Sequence, residues 1–421
     1  MTERHLGNLN QAAELIRTAI SLNNRSALYQ SNLAQVNCAL NKPVEAEQSS
    51  LRAIELDPAL PEAYLNLGTA LRLQQRDNES IAAFDKALQL RPDYIDALSG
   101  KGETLGQTGE YQAALDYFSR ILNLQPNNAP ALTHVGICLR KLGKIQEAIA
   151  HYENAIQKSP AIHELHYNLS VVFHKSGQVD QAISKMRHFL KLSPDDKTAQ
   201  HILAAYEGNA TAAAPSVYVK ELFDSYADKF DNHLVNKLNY KTPELIHKKL
   251  LATLDASRKY KILDLGCGTG LVGHFIKDMA ESMVGIDLSP KMIQKAEERN
   301  IYNTLMVSSI EQYFENSDYK PDIIVSADVF IYIGDLENIF RHVARTINRN
   351  GIFIFSIEST TDSQSFVLRD SGRYAQNPVY IENLAEKFGF DIDDSESVIL
   401  RHEKGNPMHG YIYLLRKELD K

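Results

Sequence analysis

Cysteine is scarce in this chain: three in 421 residues, at Cys38, Cys138 and Cys267. They lie too far apart for a disulfide framework or a zinc site, which excludes a small cross-linked secreted scaffold. No run of about 18 apolar residues occurs, so no membrane-spanning helix is expected. The opening residues, Met1-Thr2-Glu3-Arg4-His5, lead straight into helix-like sequence without the apolar core of a signal peptide. A cytoplasmic protein is the expectation. A basic excess is missing too: the net charge is −8, with −2 of it up to residue 210 and −6 beyond. Neither half carries the basic excess that binding to a phosphate backbone requires, so composition argues against a nucleic-acid partner. The hydrophobic content of 44% and charged content of 23% are those of a globular chain. Its length, roughly two to three times that of a usual domain, predicts more than one.

What the sequence has, first, is a period. Prolines stand at Pro58, Pro92, Pro126, Pro160 and Pro194, each 34 residues after the last. Three more series keep that step: Ala12, Ala46, Ser80, Ala114, Ala148, Ala182; then Ile16, Ser50, Phe84, Phe118, Tyr152, Met186; then Ala19, Ala53, Ala87, Ile121, Ala155, Phe189. In the copy from Pro61 to Tyr94, Tyr64, Leu67, Gly68 and Leu71 share one face of a first helix. Ile81, Phe84, Ala87 and Leu88 do the same for a second. Small residues at Gly68, Gly102, Gly136 and Ser170 let the paired helices approach, and each proline stops the second helix. A single pair cannot bury its apolar faces, so the pairs must stack into a solenoid.

This pattern resembles the tetratricopeptide repeat. The match runs from half a repeat near Gln11 to Asn24, through five full copies from about Ala27 to Asp196, to a closing helix around Lys197 to Tyr206. The first full copy has Gln30 and Asn37 at positions for bulky residues, which predicts looser packing. The resemblance implies a concave groove, lined by the first helices, that takes a protein or peptide partner. Asn66, Thr69, Arg72, Arg140, Lys141, Asn168, His174 and Lys175 are placed there as a carboxylate clamp, with an ordinary solvated face as the alternative.

Gly208-Asn209-Ala210-Thr211-Ala212-Ala213-Ala214-Pro215 is small, uncharged and proline-terminated, and reads as a linker. The organisation expected is a solenoid over 1–208, a linker over 209–216 and a second domain over 217–421. Beyond the linker, short apolar strands alternate with amphipathic helices, which implies a parallel sheet covered on both faces. The chemistry concentrates where the strand Lys261-Ile262-Leu263-Asp264-Leu265 runs into Gly266-Cys267-Gly268-Thr269-Gly270 and then a helix. Glycines let that turn approach a ligand closely. A second strand ends in Asp287, and an acid at that tip can accept hydrogen bonds from both ribose hydroxyls. Leu271 stands where a dinucleotide fingerprint needs glycine, and the Lys-Ser/Thr pair of a phosphate-binding loop is missing. Asp264 would repel a pyrophosphate but suits an ammonium. A ribose with an amino-acid tail satisfies these conditions, and S-adenosylmethionine is that molecule.

Asp264 through Gly270 resembles the first motif of class I S-adenosylmethionine-dependent methyltransferases, with Asp287 at the place of their ribose-binding acid. Pro321 to Asp328 is similar to their fourth strand, Asn350 to Ser356 to their fifth, and Asp391 to Leu400 with Pro407 to Leu415 to their antiparallel end. Phe223 to Asp231, Ala327 to Tyr332 and Ser371 to Ala375 resemble members that carry N-terminal tetratricopeptide repeats. The implied fold is multidomain: an all-α solenoid followed by an α/β Rossmann-like domain with a seven-stranded sheet. The resemblance further implies that 217–255 forms lid helices, with Tyr226 over the cofactor. Asp264, Gly266, Cys267, Gly268 and Gly270 would hold its methionine part, Asp287 its ribose, and Leu288, Ser309 and Ile310 its adenosine, while the carbonyl of Ala327 would take the ammonium. Many members carry an acid after the third strand; Ser308-Ser309-Ile310 stands there instead. Candidates facing an acceptor are Asp328, Tyr332, His233, Glu358, Arg373 and Tyr374, the last two suited to an acidic or polar substrate. No metal constellation is apparent. The expectation is a methyltransferase acting on a small molecule or a protein, with the solenoid recruiting a substrate or partner. The rival is an adaptor whose methyltransferase-like half is inactive or only senses the cofactor.

Overall fold

A computed structural model describes residues 3–232, 234, 238, 240–403 and 405–418, and the chain divides into two compact units, Met1–Ser193 and Pro194–Lys421. The first unit is wholly helical: α1 (Glu3–Leu22), α2 (Ala27–Ala39), α3 (Pro43–Leu56), α4 (Pro61–Leu73), α5 (Asp77–Leu90), α6 (Ile95–Thr108), α7 (Tyr111–Leu124), α8 (Ala129–Lys141), α9 (Ile145–Lys158), α10 (Glu164–Lys175) and α11 (Val179–Leu192). From α2 onward the helices pack as successive pairs, and each periodic proline stands two residues past the end of a second helix. The periodic series become the core. Phe84, Phe118, Tyr152 and Met186 are all buried. A Cβ at Gly68 would lie 2.7 Å from the Phe84 ring, and one at Gly136 only 2.1 Å from that of Tyr152, so the glycine makes room for the aromatic ring of its partner helix. Ser170 fills the same position by donating its hydroxyl to the Ala182 carbonyl at 2.6 Å.

The first full pair is built differently. Ser50 replaces the aromatic ring and donates to the Ala46 carbonyl, while Asn37 is buried with its Oδ1 unpartnered. Asn66, expected in the groove, is buried as well, and its amide donates to the carbonyl and hydroxyl of Ser31 at 2.9 and 3.0 Å. It is a packing residue. Arg72 pairs with Glu103 at 3.3 Å, whereas Arg140, Lys141, His174 and Lys175 sit in the last turns of α8 and α10.

The second unit opens with α12 (Lys197–Glu207), the closing helix of the periodic half. It groups with the second unit: His201 Nε2 lies 2.9 Å from the Gly372 carbonyl, and its ring packs on Tyr218 and Tyr374. The small-residue stretch after it is also seated there. Ala214 donates its N–H to the Tyr332 carbonyl at 2.9 Å, and Gly334 and Asp335 donate to that of Ala212.

The helices that follow are α13 (Ser216–Tyr226), a short α14 (Phe230–Asn232), α15 (Thr242–Thr253), α16 (Leu271–Ile276), α17 (Pro290–Glu297), α18 (Ile310–Asn316), α19 (Glu337–Thr346) and α20 (Pro378–Lys387). The strands are β1 (Tyr260–Leu265), β2 (Ala280–Asp287), β3 (Thr304–Val307), β4 (Ile323–Ser326), β5 (Ile352–Glu358), β6 (Phe366–Leu368), β7 (Tyr374–Gln376), β8 (Phe390–Glu403) and β9 (Asn406–Lys417). Seven form one sheet in the order β3-β2-β1-β4-β5-β9-β8. β3 to β5 run parallel, and β9 is inserted antiparallel to both β5 and β8. β4 and β5 are buried at every residue, the outcome for apolar runs such as Ile352-Phe353-Ile354-Phe355 in a sheet covered on both faces. The chain order reverses between β1 and β4, which leaves a crevice at the carboxyl ends of the strands.

Candidate cofactor and acceptor cavity

A cavity of about 570 Å³ occupies that crevice, within the usual range for a small-molecule site. The turn after β1 forms its floor. Gly266 has φ +69°, and a Cβ there would meet Val329 at 2.3 Å, so only glycine closes the turn. Cys267 donates its N–H to the Ile286 carbonyl at 2.9 Å, tying the turn to β2. Asp287 is fixed at the tip of β2: Gly268 and Ser289 donate their N–H groups to its Oδ2 and Oδ1 at 3.0 and 2.8 Å. Burial pushes its carboxyl up to about 6, against the opposing effect of those two bonds, and Asp224 nearby adds to the rise. Each oxygen keeps a second lone pair, so the carboxylate can still accept from two adjacent hydroxyls.

Gly266, Cys267, Gly268, Asp287, Leu288, Ser309, Ile310, Ala327 and Tyr226 all line the cavity. Two of the expected cofactor residues do not. Gly270 ends the turn at the start of α16, packed under Tyr302 and Arg299. Asp264 is buried behind the turn, where the Tyr302 hydroxyl donates to its Oδ2 at 2.7 Å. Burial raises its carboxyl to about 7, the Tyr302 bond opposes this, and the neighbouring Asp287 adds to it. The Ser309 hydroxyl caps α18 by accepting from the Gln312 N–H at 3.2 Å. Two residues on, Glu311 lines the cavity and supplies a carboxylate that the sequence reading missed.

The segment before β1 covers the cavity with Leu222, Phe223, Tyr226 and Phe230. Polar ties hold it down. Asp224 accepts from the Ser289 hydroxyl at 2.6 Å, and Asp231 accepts from the Thr269 hydroxyl and the Arg299 guanidinium. His233 lies outside the described residues.

The far wall carries charge. Asp328 takes a left-handed conformation, φ +55°, just after β4, where a non-glycine residue is strained. Its Oδ1 accepts from the Ser356 hydroxyl at 2.8 Å and its Oδ2 from Arg401 Nη1 at 3.1 Å. Burial raises the Asp328 carboxyl, while Arg401 and Ser356 hold it down. Arg401, only 3% exposed, also donates to Glu358 and, at 2.8 Å, to Glu403. Arg373 donates to Glu403 at 2.6 Å, and Arg369 to Glu358 at 2.6 Å. Asp328, Tyr332, Arg373, Arg401 and Glu403 line the cavity, whereas Glu358 is wholly buried behind them. Tyr374 is not in the cavity wall. Ser371, Gly372 and Arg373 form the expected loop, here the turn between β6 and β7, but Tyr374 opens β7 and turns into the packing with its hydroxyl bonded to that of Thr211. Arg401 was invisible from sequence because it comes from an edge strand some 70 residues beyond Asp328 in the chain.

Comparison with known proteins places these features. Residues 256–394 match a family model described as a methyltransferase domain, and 60–127 and 138–177 match models of the tetratricopeptide repeat. The chain carries a methyltransferase domain preceded by tetratricopeptide repeats. Among curated relatives, a malonyl-(acyl-carrier protein) O-methyltransferase of Ilyobacter polytropus is 27% identical over 178 residues, 39% of this chain and 60% of that one. A ubiquinone biosynthesis O-methyltransferase of Pelagibacter ubique is 28% identical over 116 residues, 26% of this chain and 48% of that one. The chain thus spans about half to three fifths of the length of these relatives. A magnesium protoporphyrin IX methyltransferase from Synechocystis PCC 6803, solved with bound SAH, aligns at 16% identity with a TM-score of 0.39, over 48% of this chain and 99% of that one.

Proposed function

We propose that the second unit binds S-adenosylmethionine and transfers its methyl group to an acceptor held in the same cavity, and that the solenoid recruits a protein or peptide partner. The observation that carries the reading is the joint geometry of the turn and the strand tip: a glycine turn with no room for a Cβ at Gly266, facing an Asp287 clamped by two backbone N–H groups. The donor set suits the molecule. Asp287 accepts from ribose hydroxyls, Leu288 and Ile310 flank a base, and Glu311 provides the acceptor that Ser309, occupied as a helix cap, supplies only weakly. Bound there, S-adenosylmethionine supplies a methyl group on a sulfonium, already a good leaving group, so holding the partners in line accounts for most of the rate. Phe223, Tyr226 and Phe230 exclude water from above, and Asp224 and Asp231 keep that cover closed. Asp264 acts from behind the turn, and Asp328 and Tyr332 border the acceptor side.

The test is calorimetric titration of S-adenosylmethionine and S-adenosylhomocysteine into the whole chain, with Asp287→Ala beside it. Micromolar binding, about −8 kcal/mol, that the variant loses is the expected result. A folded chain that binds neither molecule refutes the enzyme reading in favour of an adaptor.

A further inference from the structure

Hydrogen-bond accounting at the charged wall singles out one group. Three carboxylates meet three guanidiniums there, and all six carboxylate oxygens already accept a bond. Asp328 accepts from Ser356 and Arg401, Glu358 from Arg401 and Arg369, and Glu403 from Arg401 and Arg373. Arg401 uses all three of its nitrogens, and Arg369 uses Nη1 on Glu358 and Nη2 on the Ser359 carbonyl. Arg373 is the exception among the described residues. Its Nη2 is bonded to Glu403, its buried Nε makes only a 3.5 Å ion-pair approach to Glu358 with no hydrogen bond, and among the described residues no acceptor is seen for Nη1. Arg373 lines the cavity with its side chain one-fifth exposed.

We propose that the methyl acceptor is a small carboxylic acid whose carboxylate is bound by Arg373. This rests on the methyltransferase reading above. Each carboxylate on this wall is already compensated by a guanidinium, so an ammonium gains little charge pairing there, while an anion finds the unused Nη1 of Arg373. The charge balance agrees. The six groups sum to zero, so the wall itself does not repel an anionic acceptor. No general base is then required for a group that is already ionised, in keeping with an Asp328 already bonded to Ser356 and Arg401. The aromatic cover and the modest cavity favour a small acceptor over a protein segment.

The experiment loads the full chain with S-adenosylhomocysteine and titrates it with propionate, butyrate, succinate, glutarate, benzoate and phenylacetate, each against its own carboxamide. At least one acid is expected to bind at least tenfold more tightly than its amide. Arg373→Met should remove that preference, and Arg373→Lys should restore part of it and serves if the methionine variant fails to fold. Failure of every acid to bind the loaded chain, equal binding of acids and amides, or wild-type acid affinity in Arg373→Met overturns the inference alone. Failure of S-adenosylhomocysteine itself to bind overturns the reading beneath it.

Discussion

Arg401→Met probes the charged wall most sharply. The wild-type guanidinium is almost wholly buried and bonded to Asp328, Glu358 and Glu403, of which Glu358 has no exposure at all. Methionine fills much of the same volume and removes the charge, leaving a buried network with one net negative charge. Removing one partner of a buried pair costs about 3–5 kcal/mol, because the charge left behind stays desolvated. For a unit of this size that is a fall of about 6–20 °C in the thermal midpoint. The pH dependence separates this cause from lost packing. Carboxyls deprived of their guanidinium are raised in the folded state above their unfolded values, so their destabilising effect is present at neutral pH and fades as pH falls and they protonate. The gap between variant and wild type, followed by far-UV circular dichroism during heating, should therefore be widest near pH 8 and shrink towards pH 5. A gap that stays constant across that range would refute the ionic account, as would a midpoint unchanged at pH 8.

Two further outcomes follow from the same structure. Cofactor affinity should fall in acid: Asp287 must be ionised for both of its oxygens to accept from hydroxyls, and its carboxyl is raised to about 6, with Asp264 raised in the same sense to about 7. The Kd for S-adenosylhomocysteine at pH 5 should be about tenfold weaker than at pH 7.5, one unit of pKa being worth 1.36 kcal/mol; a flat profile would count against Asp287 as the ribose acceptor. In the solenoid, Gly136→Ala drives a methyl group to within 2.1 Å of the Tyr152 ring and should destabilise the unit by about 1–3 kcal/mol, measured by urea denaturation, whereas Gly143→Ala, with no atom within 4 Å but φ +78°, tests backbone strain alone.

Local chemistry alone made several features of this protein legible. The period of 34 residues marked which positions face inward, because a helix pair has one way to present a small residue opposite an aromatic one, and Gly68 with Phe84 and Gly136 with Tyr152 meet as that spacing requires. The strand–glycine turn–helix and the acid at the tip of β2 were legible for the same reason: a backbone forced into left-handed turns needs glycine, and adjacent parallel strands bring Asp287 beside Gly268. Tertiary structure decided the rest, wherever a contact joins distant segments. It turned Tyr374 away from the cavity and Arg373 into its wall, because Tyr374 begins the returning strand of a hairpin while Arg373 stays in its turn. It set Asp264 behind the turn under Tyr302, and it seated α12 and the small-residue stretch on the second unit through His201, Ala212 and Ala214. Arg401, from the edge strand β8, became the hub of the charged wall because the antiparallel insertion of β9 carries β8 past the ends of β4 and β5. Pairing across that distance is fixed by sheet order and buried charge, and neither is written in any short stretch of sequence.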